Sequence, residues 1–140
     1  MIPDIKIYSH HSQFDMSKWR YPNFMPEELS CPCCGEFYYC EESINMIQCA
    51  RTITAKPYRI NSAHRCWLHN TRVGGAPRSE HKQLAFDISL EGHDRSELLD
   101  DLRAAGFTTF GFYQTFIHTD IRTNRIWYSG EKARKLWTTS

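Results

Sequence analysis

No stretch of this chain approaches the ~20 consecutive apolar residues that span a bilayer. A membrane-spanning helix is therefore excluded by the sequence, and no membrane partner is expected. Charge of one sign is lacking too: 17 Lys and Arg stand against 16 Asp and Glu, for a formal net charge of +1. A nucleic-acid binder normally shows a basic patch or stripe, so nucleic acid is not expected as a partner. The opening residues, Met1-Ile2-Pro3-Asp4-Ile5-Lys6, lack the basic segment and following apolar stretch of a secretory signal. The expectation is a soluble product made in the cytoplasm. Internal repeats, linkers and low-complexity segments are lacking as well. What remains is enough chain for one domain with a real core. Residues 1–140 are read as that domain, with residues 1–40 a cysteine-containing N-terminal extension packed on it.

Cysteine is present, but the spacing that would decide its use is missing. Four of the six cysteines lie in Cys31-Pro32-Cys33-Cys34-Gly35-Glu36-Phe37-Tyr38-Tyr39-Cys40, while Cys49 and Cys66 stand apart. Cys31 and Cys34 form a C-x-x-C followed by glycine, a knuckle able to hold a structural zinc that Cys40 or Cys66 would complete. The second C-x-x-C of a four-cysteine site is absent. A disulfide staple, which a cytosolic product would form late or not at all, and plain packed thiols both stay open.

The pattern of elements is mixed. Pro26-Glu27-Glu28-Leu29 reads as one helical turn with proline at its first position. Residues 41–54 form a helix: Met46, Cys49, Ala50 and Ile53 recur at helical spacing and predict its buried stripe, with Cys49 as a small core residue. Lys56-Pro57 ends it. Residues 58–62 alternate as a strand, residues 64–73 follow as a short helix or turn, and 84–90 is a second strand. Asp94 and Glu97 make a capping box for a helix whose buried face is Leu98, Leu102 and Ala105, and Gly106 stops it. Residues 107–113 and 115–122 are two adjacent antiparallel strands. Trp127-Tyr128 pairs again and residues 131–137 form a terminal helix. Helices and strands that end in consecutive strands predict an α+β fold with an antiparallel central sheet flanked by helices.

The chemistry gathers in two segments. Ser79-Glu80-His81-Lys82-Gln83-Leu84-Ala85-Phe86-Asp87 carries a histidine into a strand and an aspartate within it. Buried strands rarely hold a carboxylate unless it is paired or bound to a metal. In Phe116-Ile117-His118-Thr119-Asp120 the alternation places residues 116, 118 and 120 on one face. Two histidines and a carboxylate suit Zn²⁺ in an open site. The plainer alternative is a solvated histidine and a turn aspartate.

These segments resemble the M15 metallopeptidases, zinc D-alanyl-D-alanine carboxypeptidases and phage endolysins that share a fold with the hedgehog signalling domain. The resemblance lies in Ser-x-His followed by Ala-Phe-Asp-Ile, in Phe-Ile-His-x-Asp-x-Arg, and in Asn61-Ser62-Ala63-His64-Arg65-Cys66-Trp67-Leu68-His69-Asn70 followed by Val73-Gly74-Gly75-Ala76. It implies zinc on His81, Asp87 and His118, and Arg65 on a substrate carboxylate. Ser79 would hydrogen-bond substrate or the metal loop, its alternative role being a turn residue. Two features depart from the family pattern. Five residues separate His81 from Asp87 where the family has six, the glycine before Leu84 being absent. The positions where relatives carry a base are Thr115 and Phe116. Asp120 is the remaining candidate, either as base or as a carboxylate orienting a ligand histidine.

The implied function is zinc-dependent cleavage of peptidoglycan peptides by a monomer, at the bacterial cell wall after release or as part of a virion. The competing class is a non-catalytic zinc-containing binding or structural module of the same fold, such as a phage virion component.

Overall fold

A computed structural model describes residues 5–66 and 85–139. The central sheet has five strands in the order β3-β4-β6-β5-β7. These are β3 (Ile60–Ser62), β4 (Phe86–Ser89), β5 (Thr109–Phe112), β6 (Phe116–Asp120) and β7 (Ile126–Tyr128). Neighbours pair antiparallel from β3 to β5, while β7 joins β5 in parallel. The fold is α+β, with an antiparallel sheet to which β7 adds one parallel pairing.

Strand alternation sorts the sheet into two faces. Phe86, Ile88, Phe110, Phe112 and Ile117 are buried in one core cluster with Ile44, Ile47, Leu98 and Leu102 of the helices. Full burial of one such side chain is worth about 1.5–3 kcal/mol. The helices are α1 (Glu41–Thr54), α2 (Arg95–Ala104) and α3 (Gly130–Thr138). Asp94 caps α2 by accepting a hydrogen bond from the Glu97 N–H at 3.1 Å, and Gly106 follows the helix at φ +109°. Trp137 of α3 packs its ring 4.8 Å from that of Phe112.

The buried face of α1 is Ser43, Ile44, Ile47 and Ala50, so the stripe expected from the sequence is corrected. Cys49 is exposed and is not a core residue, and Ile53 is exposed with it. Both stripes contain Ala50 and both have helical spacing. Turning Ile44 and Ile47 inward carries position 49 into solvent.

Ahead of α1, β1 (Lys6–Tyr8) pairs antiparallel with β2 (Phe37–Tyr39). Phe14, Tyr21, Phe24, Leu29 and Phe37 belong to the same core cluster as the sheet. The Pro26–Leu29 turn is a 3₁₀ helix with proline in its first turn. His10 and His11 stand apart from the sheet. His10 caps the following 3₁₀ turn, accepting from the Ser12 N–H at 3.1 Å. No helix among the described residues is long and apolar enough to cross a membrane.

Candidate metal centre

One row of residues crosses the sheet. Ser62 of β3 is in register with Asp87, Asp87 with His118, His118 with Gly111, and Gly111 with Trp127. The row lies on the face that the helices leave, because Phe86, Ile88 and Ile117, the alternating neighbours of Asp87 and His118, all point into the core. β4 and β6 bring a carboxylate and an imidazole side by side: Asp87 Oδ1 lies 3.1 Å from His118 Nδ1.

The other ring nitrogen is also held. His118 Nε2 is 2.7 Å from Asp120 Oδ2, so the two residues share one strand face, as the alternation of β6 requires. Asp120 Oδ1 accepts from the Arg122 backbone N–H at 2.9 Å and from its Nε at 3.0 Å, and Oδ2 accepts from Arg122 Nη2 at 2.8 Å. Asp120 is 0% exposed, His118 6% and Asp87 9%. Burial is thus graded across these three residues, from a fully enclosed carboxylate to one at the margin.

The protonation states follow from these contacts. Burial works against the imidazolium of His118, but the hydrogen bonds to Asp120 and Asp87 overcome it and hold the pKa above the ordinary histidine value. Burial also works against the carboxylate of Asp120. The bonds from His118 and Arg122 dominate there and hold its pKa below the usual carboxylate range.

Trp127 forms a wall. Its ring centroid is 5.0 Å from that of His118, the Arg122 guanidinium lies 5.8 Å from the indole centroid, and its Nε1 donates to Tyr113 Oη at 3.2 Å. The indole reaches His118 across Gly111, which has no side chain to block it.

The donor set fits a zinc ion. Two ligand atoms bound tetrahedrally at ~2.0–2.1 Å lie about 3.3 Å apart, close to the 3.1 Å between Asp87 Oδ1 and His118 Nδ1. The His118–Asp120 bond is the carboxylate contact that metal-ligating histidines usually make through their second nitrogen. His81, the third ligand expected from the sequence, and Ser79 lie outside the described residues.

A family model described as Peptidase M15 matches residues 22–120, more than half of the chain. The chain belongs to the peptidase M15 family. Among curated proteins no relative matches it. That family is one of zinc-dependent metallopeptidases, and the Asp87–His118 pair lies within the matched span. So does Arg65, three residues beyond the end of β3 at Ser62, whose register partner is Asp87. The segment leading to Arg65 is fixed by its neighbour. His64 is buried, its Nε2 is 2.7 Å from Glu36 Oε1, and its ring stacks on Tyr38 with centroids 4.1 Å apart.

The M15 chain also gathers cysteines. The Sγ atoms of Cys31, Cys33, Cys34 and Cys66 all lie within 4.8 Å of one another. Cys66 joins the knuckle and Cys40 does not: Cys40 is buried at the N-cap of α1. No disulfide joins cysteines among the described residues. At Cys34 the Glu36 backbone N–H favours the thiolate, yet burial and the neighbouring Cys66 and Cys31 outweigh it and push the pKa up to about 12. Burial first, then Cys66, raises that of Cys33.

Sequence reasoning missed Trp127, Gly111 and Cys33 as parts of these sites, and it gave Arg122 no role beyond its place in the motif. Arg122 had a readable signal, since its spacing of two from Asp120 suits a local bond to the carboxylate. Trp127 had none, because its contact depends on strand order.

Proposed function

We propose that this chain is a zinc-dependent peptidase acting on peptidoglycan stem peptides, with the metal held by His81, Asp87 and His118. The observation that carries the reading is the register of Asp87 with His118, which sets Oδ1 and Nδ1 3.1 Å apart on the sheet face turned away from the helical core. Zinc, when bound, polarises a scissile carbonyl and lowers the pKa of a bound water towards ~7. The chain's own groups do the rest. Arg65 binds the terminal carboxylate of the substrate through its planar two-pronged fork, and Ser79 assists in binding the peptide. Asp120 acts as a positioning residue. Each of its oxygens is engaged by His118 or Arg122, and its low pKa suits it to orienting His118 and not to accepting a proton. The substrate is reached at the cell wall after release from the cytoplasm or from a virion, by a monomer.

A second reading is favoured by the same contacts of Asp120. With that carboxylate committed to His118 and Arg122, no general base is assigned among the described residues, and a zinc-holding module without catalysis needs none. Purified chain, wild type and His118→Ala, should be assayed for zinc content and for digestion of peptidoglycan, with products identified by mass spectrometry. The peptidase reading expects released wall peptides from wild type only, together with loss of one zinc per chain in the variant. Zinc without any cleaved bond selects the module. Unchanged zinc content in the variant removes the metal assignment.

A further inference from the structure

We propose that Cys31, Cys33, Cys34 and Cys66 hold a second, structural zinc ion, which fastens the segment that emerges from β3 to the N-terminal layer. The four sulfurs come from two places in the chain and converge on one point, all within 4.8 Å of one another. Cys33 and Cys66 are 4.0 Å apart. Four thiolates at ~2.3 Å from a tetrahedral ion would stand about 3.8 Å from one another, so closing the cluster takes shifts below about an ångström. An all-sulfur tetrahedron selects a soft ion such as zinc and disfavours magnesium or calcium, which take oxygen ligands.

The backbone beneath the sulfurs has the form of a metal knuckle. Gly35 N–H donates to the Cys31 carbonyl at 2.8 Å, and Cys31 N–H donates to the Glu36 carbonyl at 2.8 Å. The turn closes through Gly35 at φ +78°, a left-handed conformation that favours glycine. A Cβ there would also fall 2.4 Å from Cδ2 of His10. These bonds aim the knuckle sulfurs at Cys66 before any ion arrives.

The fourth sulfur gives the cluster its purpose. Cys66 follows His64 and Arg65, and that segment already touches the N-terminal layer three times. The His64 N–H donates to the Leu29 carbonyl at 3.4 Å, the His64 ring meets the Glu36 carboxylate, and the same ring stacks on Tyr38. Zinc on Cys66 would add the strongest tie, one residue beyond Arg65. The benefit to Arg65 as a substrate clamp rests on the peptidase reading; the metal site does not. Zinc uptake displaces thiol protons and involves no electron transfer, so it needs no oxidant.

The test loads the full chain, purified with reductant, with cobalt as probe. Thiolate-to-cobalt charge-transfer absorption reports sulfur ligation, and zinc per chain is measured in parallel. The proposal expects the thiolate band in wild type, in His118→Ala and in Cys49→Ser, and its loss in Cys31→Ser/Cys34→Ser. It further expects wild type to hold one zinc more than the double variant. A fully reduced wild type that binds cobalt without a thiolate band overturns the site, and so does a band that survives the double variant. Iron instead of zinc on the sulfurs of the purified protein overturns the choice of ion, and a Cys33–Cys66 disulfide that resists reductant overturns the cluster. Wild type and His118→Ala decide the matter even if the double variant does not fold. Peptidase activity enters none of these readouts, so absent wall digestion leaves this result standing.

Discussion

The indole of Trp127 lies so closely across Gly111 that a Cβ on the glycine would come within 2.4 Å of Cζ2 and 2.5 Å of Cε2. Gly111→Ala must therefore displace the ring that stands beside His118. Forcing a methyl into such a contact costs typically about 1–3 kcal/mol, and the same should appear here as a lower denaturation midpoint. Because the clash is with one side chain, the double variant Gly111→Ala/Trp127→Ala should be more stable than the sum of the single effects predicts. Additive losses in a urea titration would mean that the two residues are not coupled.

Asp120→Asn tests the positioning role. Removing a carboxylate that orients a ligand histidine typically costs about 10–100-fold in metal affinity. We expect weaker zinc binding, with turnover of wall peptides restored at saturating zinc. Turnover lost at saturating zinc, with affinity unchanged, would show Asp120 to be the base. A base would carry about 10²–10⁴ in rate.

Arg65→Lys keeps the charge and loses the bidentate fork. A hydrogen bond to a charged group is worth about 1.5–3 kcal/mol, which corresponds to a fall of roughly 10–100-fold in kcat/KM, with little change in Tm. A large drop in Tm with specific activity intact would make Arg65 a structural residue tied into the His64 segment.

The metal-free protein should be most stable in a window of mildly acidic pH. His118 has its folded pKa raised, so its contribution is complete below the unfolded value of ~6.5 and is lost as pH rises through the folded value. Asp120 has its folded pKa lowered, so its contribution is complete above the unfolded value of ~3.9 and is lost as pH falls through the folded value. Denaturation midpoints across pH, in chelator, should decline on both sides of that interval. In Asp120→Asn both declines should flatten. A profile indifferent to this substitution would contradict the coupling.

What the sequence disclosed and what it hid divide along physical lines. The ends of α1 and α2 were legible because local chemistry makes them, with Lys56-Pro57 behind one and Asp94 and Gly106 bounding the other. The shared face of His118 and Asp120 was legible because strand alternation has a fixed period. The face of α1 was misread because two stripes share Ala50, and only the partner surfaces choose between them. Trp127 was hidden because its neighbour on β5 depends on a strand joining in parallel. Cys66 was one of two candidates for the knuckle, and distance along the chain could not separate it from Cys40. His81 and Ser79 fall outside the described residues, so the shortened spacing to Asp87 has no structural counterpart here.

The wall beside His118 has a consequence for where this unit begins and ends. Trp127 and the whole of β7 lie beyond the residues 22–120 that carry the family pattern, and Phe14 of the core lies before them. A fragment trimmed to the pattern would strip β7 from β5 and leave an unpaired edge, an invitation to aggregate. It would also open His118 to solvent on the side the indole now covers. The span by which the chain is recognised is thus shorter than the span that must travel together when the domain is grafted, fused or shuffled.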